Sequence, residues 1–281
     1  MSGELKHHTL PVNGIRMHVA EQGTGPLVIM CHGWPELWYS WRHQIPAVAA
    51  AGFRVVAPDM RGFGETEAPA DVNDYTILHN VGDMVALVAA LGEKQAIIVG
   101  HDWGAPVAWT AAMMRPDLFP AVVAMSVPHR PRSSAAPLQT LKEAGLGNYY
   151  WIYFQKPGVA EAEFERDPAV TLRKLLYGVS GDIPIDRENP MMVHEGHGFL
   201  IRWRSRSRCR RGCAKKTSKS SRASIDAPVF AAGSTGIATS IATGRSPRRG
   251  RMRRFVNRHC SSTERAIRWS QANGVLRRSS T

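Results

Sequence analysis

The sequence predicts an α/β fold: a mostly parallel β-sheet with helices on both faces, and a helical lid inserted after the sixth strand. Three observations predict it. Short continuous apolar runs recur at residues 27–31, 96–99 and 121–127, and such runs mark strands buried on both faces. Segments of helical spacing stand at 41–50, 78–91 and 105–114, and strands alternating with helices build a sheet covered on two sides. Glycine-rich turns follow the strand ends, which is where open parallel sheets hold their ligands.

Residues 8–21 mix apolar and polar side chains around Asn13-Gly14, a dipeptide that favours a tight hairpin. The run 27–31 then ends in His32-Gly33-Trp34-Pro35, and a helix is expected over 41–50. A strand at 53–57 leads into Asp59-Met60-Arg61-Gly62-Phe63-Gly64. The helix at 78–91 closes at Gly92, a common stop. Residues 96–99 run into Gly100-His101-Asp102-Trp103-Gly104, followed by the helix at 105–114, and the strand at 121–127 ends at Pro128. This gives a core over residues 1–128. Beyond it, 138–144, 159–166 and 169–176 have helical spacing, punctuated by Pro157, Gly158, Gly178 and Gly181. We read 129–200 as the first part of a lid that shields the strand ends from water.

The strand–turn–helix context around Gly100-His101-Asp102-Trp103-Gly104 is that of a nucleophile elbow, usually G-x-S-x-G, with Asp102 where the serine would stand. Alone, the pentapeptide also fits a plain loop with an Asp N-cap. It does not stand alone. Together with His32-Gly33-Trp34-Pro35, the glycine-rich Asp59 turn and the lid run Tyr149-Tyr150-Trp151-Ile152-Tyr153-Phe154-Gln155-Lys156-Pro157-Gly158, it makes residues 1–200 resemble an α/β-hydrolase of the epoxide hydrolase kind. The first two motifs occur across many α/β-hydrolases. The Asp elbow narrows the resemblance to epoxide hydrolases and haloalkane dehalogenases, and the tyrosine-rich run favours the former.

The chemistry suits these residue types. A carboxylate attacking an epoxide carbon leaves an ester, which water can cleave, whereas a serine would leave an ether. The resemblance implies Asp102 as nucleophile, Tyr150 as donor to the epoxide oxygen, and backbone N–H groups of Trp34 and Trp103 as the oxyanion site, with His32 and Gly33 beside it. Trp34, Trp38 and Trp103 are expected to line the pocket. Asp59 is read as a turn residue. His194 and His197, in His194-Glu195-Gly196-His197, are expected at a surface helix end and not as the base. No cofactor or metal is implied. Small-molecule epoxide and water are the expected partners, nucleic acid is not, and the haloalkane dehalogenase reading is the enzymatic rival.

Charge divides the chain. The net charge is +13, yet residues 1–200 carry 15 Lys+Arg and 21 Asp+Glu, a net of −6, and residues 201–281 carry 21 and 2, a net of +19. The second stretch is rich in Arg, Ser, Ala and Gly without strand–helix alternation, and its composition reads as disordered. The family's second lid tyrosine, orienting acid and base histidine find no matching context there. Cys209, Cys213, His259 and Cys260 fit no familiar zinc spacing. A binding remnant with a basic, nucleic-acid-seeking tail is the reading from another class.

A change of reading frame after Leu200 is the favoured cause. Shifting 203–219 by one base permits Ala-Glu-Pro-Glu-Pro-Leu-Pro-Pro-Trp-Leu-Arg-Glu-Glu-Asp-Leu-Glu. Shifting 227–245 permits a run containing Asn-Trp-Tyr-Arg-Asn, its tyrosine encoded across Gly236 and Ile237. Both runs look like an epoxide hydrolase at these places. No N-terminal signal pattern and no bilayer-length apolar run are present, so a cytoplasmic protein is expected.

Overall fold

A computed structural model describes residues 3–131, 134–180 and 191–203. Of the basic tail expected at 201–281, residues 204–281 lie outside the described residues. The elements run β1 (Lys6–Val12), β2 (Ile15–Gln22), β3 (Leu27–Cys31), a 3-10 turn (Trp38–Trp41), α1 (Gln44–Ala50), β4 (Arg54–Pro58), a second 3-10 turn (Val72–Tyr75), α2 (Ile77–Ala90), β5 (Ile97–His101), α3 (Gly104–Met114) and β6 (Ala121–Met125). The lid follows with α4 (Pro137–Glu143), α5 (Tyr150–Tyr153), α6 (Val159–Phe164), α7 (Pro168–Gly178) and a 3-10 turn (Phe199–Arg202). No helix among the described residues is long and apolar enough to cross a membrane.

The sheet has the order β1-β2-β4-β3-β5-β6. β2 is antiparallel to β1 and to β4, and the pairs β3–β4, β3–β5 and β5–β6 are parallel. The apolar runs are explained by what each strand meets. Leu27, Ile29 and Cys31 of β3 enter one core with Val81, Met84 and Leu87 of α2 and Val107, Ala108 and Ala111 of α3. Val28 and Met30 enter the opposite core with Ile45 and Ala49 of α1. Successive strand residues point to opposite faces, so a strand covered on both sides must be apolar throughout. The hairpin closes at Asn13 (φ 45°) and Gly14 (φ 81°), the left-handed pair that a two-residue turn requires.

Three expectations are corrected. The helix expected at 41–50 divides into the 3-10 turn and α1, because Pro46 has no N–H to donate to the Arg42 carbonyl. β6 stops at Met125 instead of Val127, since Ser126 turns to φ 65°. His194 and His197 stand in an exposed turn closed by His197 N–H to the His194 carbonyl (3.0 Å), not at a helix end. Gly196 (φ 75°) makes that turn.

The lid has its own core of Phe154, Ala160, Phe164, Leu175, Val193, Phe199, Leu200 and Trp203. Trp203 seats beneath Gly178, where a Cβ would overlap its ring, so ordered lid structure continues three residues past Leu200. On the far side of the sheet, Val123 (47% exposed) and Met125 (38%) leave β6 an apolar face open to solvent.

Candidate active site

β5 carries the chain to Asp102, whose φ of 49° is left-handed, a region that Asp and Asn visit more readily than other side chains. The turn closes tightly because three glycines allow it. A Cβ at Gly100 would overlap the Gly104 carbonyl, one at Gly104 would overlap the Cys31 and His32 carbonyls, and one at Gly33 would overlap the Asp102 side chain itself. The Asp102 N–H donates to the Met125 carbonyl (3.3 Å) and the Ser126 hydroxyl (3.2 Å), fixing the elbow to the end of β6.

The loop after β3 arches over the elbow. The Trp34 N–H donates to Asp102 Oδ1 at 2.9 Å, and the Trp34-Pro35 peptide is cis. Burial pushes the Asp102 carboxyl above the ordinary carboxylate range, and the N–H groups of Trp34 and Trp103 act against that push. Both expected backbone donors therefore bear on the Asp102 carboxylate.

His32, at the base of the arch, is engaged by the backbone. It is fully buried, its Nδ1 donating to the Gly33 carbonyl (2.8 Å) and its Nε2 accepting from the Met60 N–H (2.9 Å). With both nitrogens engaged, and with burial holding it below the usual histidine value, the neutral ring ties the arch to the end of β4 and has no group left to offer a substrate. Trp38, expected to line the pocket, instead lies ring to ring with His7 (4.9 Å) and His18 (6.4 Å). Its backbone N–H donates to Asp59 Oδ1 (3.0 Å). Asp59 is the turn residue expected: it also accepts from His18 Nδ1 (2.8 Å) and the Glu65 N–H (3.2 Å).

The lid closes over Asp102 with aromatic rings. Trp34 packs against Phe154 (5.5 Å) and Phe164 (5.8 Å), and Trp103 against Trp151 (5.6 Å). Tyr150, the first residue of α5, packs against Tyr149, Phe154 and Phe199. Burial is the main cause that raises its phenol well above the usual tyrosine value, and the Asp102 charge pushes the same way. The phenol is thus protonated and within electrical reach of the carboxylate.

Sequence reasoning missed one pair. His101 Nδ1 meets Glu36 Oε2 at 3.2 Å, and that same oxygen accepts from the Gly33 N–H (3.3 Å). The hydrogen bond that His101 donates to Glu36 raises the His101 value. Burial works to raise Glu36, but His101 and the Gly33 N–H outweigh it and hold it low. The pair clamps the arch to the elbow beside Asp102. Its one sequence signal is adjacency to the two motifs.

The alpha/beta hydrolase fold family matches residues 26–218, past Leu200. An epoxide hydrolase of Caballeronia sordidicola is 45% identical over 184 residues, 66% of this chain and 56% of that protein. Epoxide hydrolase A of Mycobacterium tuberculosis is 46% identical over 180 residues, 63% of this chain and 56% of that protein. Among solved structures, an epoxide hydrolase from Vigna radiata aligns with a TM-score of 0.74 at 36% identity, covering 86% of this chain and 73% of that one. Epoxide hydrolase A from Mycobacterium thermoresistibile aligns at 0.76 and 35%, covering 86% and 76%. The chain spans about half the length of the curated relatives it matches.

Proposed function

The chain belongs to the α/β-hydrolase fold family, in its epoxide hydrolase branch, and from that membership we propose that it opens epoxides through an ester on Asp102. The observation that carries the reading is Asp102 on a left-handed turn, with the Trp34 N–H on Oδ1 and a protonated Tyr150 phenol that feels the Asp102 charge. In the first step a carboxylate oxygen of Asp102 forms a bond to a ring carbon. The C–O bond to that carbon breaks, and its electron pair goes to the ring oxygen, which takes the Tyr150 proton. Solvent then restores the phenol. In the second step water attacks the ester carbonyl, and the N–H groups of Trp34 and Trp103 stabilise the oxyanion, releasing the diol.

Residue roles follow the geometry. Asp102 is the nucleophile, Tyr150 the proton donor, Trp34 and Trp103 the donors and pocket walls, and Gly33 the space that the carboxylate needs. His32 positions the arch. The second step calls for a base. Among the described residues no histidine is hydrogen-bonded to Asp102, and residues 201–281 offer no histidine in the family's context. We therefore expect the ester to form once per chain and to persist. The site needs neither metal nor cofactor for these steps, and a cytoplasmic setting suits it.

The test is to mix the full chain with excess styrene oxide and follow its intact mass. A gain of one epoxide mass per chain, mapped to Asp102 and absent in D102N, is expected. Labelling elsewhere, or none, refutes the nucleophile. Steady release of many equivalents of diol refutes the stalled second step.

A further inference from the structure

We propose that Glu163 is a positioning residue for the Tyr150 phenol, acting through the segment 191–203; this rests on the reading of Tyr150 as proton donor. Glu163 lies on α6 and touches neither Asp102 nor the arch. Its carboxylate is nonetheless fully engaged. Oε2 accepts from the Tyr153 hydroxyl (2.8 Å) and the Phe199 N–H (2.9 Å), and Oε1 accepts from the Leu200 N–H (2.8 Å). These two backbone groups open the last 3-10 turn, where N–H donors have no partner within the helix. A carboxylate from another element caps them, through charge-assisted bonds stronger than neutral ones. Gly198 makes the approach possible, since a Cβ there would overlap Glu163 Oε1. Lys174 Nζ holds the same turn from the other side, donating to the Leu200 carbonyl at 3.0 Å.

What the turn delivers is the Phe199 ring. It stacks on Tyr150 with centroids 5.7 Å apart and planes 27° apart, and it is wedged by Phe154 (5.6 Å) and Trp203 (5.1 Å). At the head of the same segment the Tyr150 N–H donates to the Met191 carbonyl (2.9 Å), and the Val193 N–H to the Asn148 carbonyl (2.7 Å). Tyr150 is therefore backed by main chain at one end of 191–203 and by a ring at the other. With its phenol protonated throughout the neutral range, its value as a donor depends on where the O–H points. Glu163 fixes the surface against which that direction is set.

The experiment measures Asp102 alkylation by styrene oxide in the full chain, by intact mass under single-turnover conditions, for Y150F, E163A, E163Q and the double variant E163A/Y150F. Y150F is expected to slow the maximal rate about a hundredfold, the range of a lost general acid. E163A is expected to slow it about tenfold, the effect of a misplaced group, with the half-saturating epoxide concentration unchanged. E163Q should recover most of the rate, because its amide oxygen still accepts a backbone N–H. The double variant should be no slower than Y150F. If E163A slows the Y150F background by the same factor as it slows the parent chain, Glu163 serves the fold at large and the proposal fails. An E163A rate equal to the parent's, while Y150F is slow, also overturns it and leaves the Tyr150 reading standing. A Y150F rate equal to the parent's fells both. Should E163A fail to fold, F199L keeps the apolar volume without the stacked ring and must give the same pattern.

Discussion

Asp102 combines two local costs. Its backbone is left-handed, and burial lifts its carboxyl above the ordinary range. A carboxyl whose folded value lies above its unfolded value favours the fold while it is protonated. That contribution is complete below the ordinary carboxylate range and is lost as pH rises through the raised folded value. At neutral pH the charge is a burden. D102N should therefore melt a few degrees higher than the parent chain at pH 7, and the gap should narrow as pH falls from the raised folded value to the ordinary carboxylate range, below which it should change no further. Asn tolerates the left-handed turn as well as Asp does, so any gain from backbone fit would not vary with pH. Thermal melts of both proteins across pH check this, and a gap of constant size would show that ionisation is not its source. The same raised value sets the alkylation rate, which should climb with pH through it. His32 marks the limit of reading at this scale. Its motif was legible, but its role turned on two hydrogen bonds to residues 1 and 28 positions away, and a linear motif does not say which nitrogens are occupied.

The strands were legible because burial on both faces writes itself into the sequence as an unbroken apolar run. β3 was found at its observed bounds for that reason. Element ends were less so, since Pro46 in the first turn of α1 and Ser126 after β6 act through backbone geometry and not through hydropathy. The links between elements were not legible at all. Arg61, in the glycine-rich turn after β4, donates from Nε to Asp83 Oδ2 of α2 at 2.9 Å, with both side chains fully buried. Asn13 of the hairpin turn donates to the other oxygen of Asp83 at 2.8 Å. One carboxylate thus joins hairpin, turn and helix, yet the three residues lie far apart in sequence with nothing local to pair them. Removing one partner of a buried pair leaves an uncompensated charge, so R61M should cost about 3 kcal/mol. Denaturant unfolding measures it. R61M/D83L, which removes both charges, should recover much of the loss, and a double variant less stable than R61M would show that packing, not charge, was lost.

For the whole molecule, two borders matter. Charge changes sign after Leu200, and the family match ends at residue 218. The first two hundred residues obey one set of rules throughout: apolar runs where strands are covered, glycines where backbones meet, aromatic rings over the nucleophile. Beyond Trp203 the sequence is rich in Arg, Ser, Ala and Gly without strand–helix alternation, which is what a coding stretch read in the wrong register produces, because codon choice in one frame places no constraint on hydropathy in another. We propose that one base separates the two parts. Resequencing codons 195–205 in an independent isolate should restore it, and the restored frame should encode a tyrosine across the present Gly236 and Ile237. The protein it encodes should turn over styrene oxide repeatedly, where the present chain stops at the ester on Asp102. An unchanged frame in that isolate would overturn the proposal. The net charge of +19 beyond residue 200 would then belong to the working protein. Its consequence would be physical and measurable, as salt-dependent retention on nucleic acid that deletion of 201–281 abolishes.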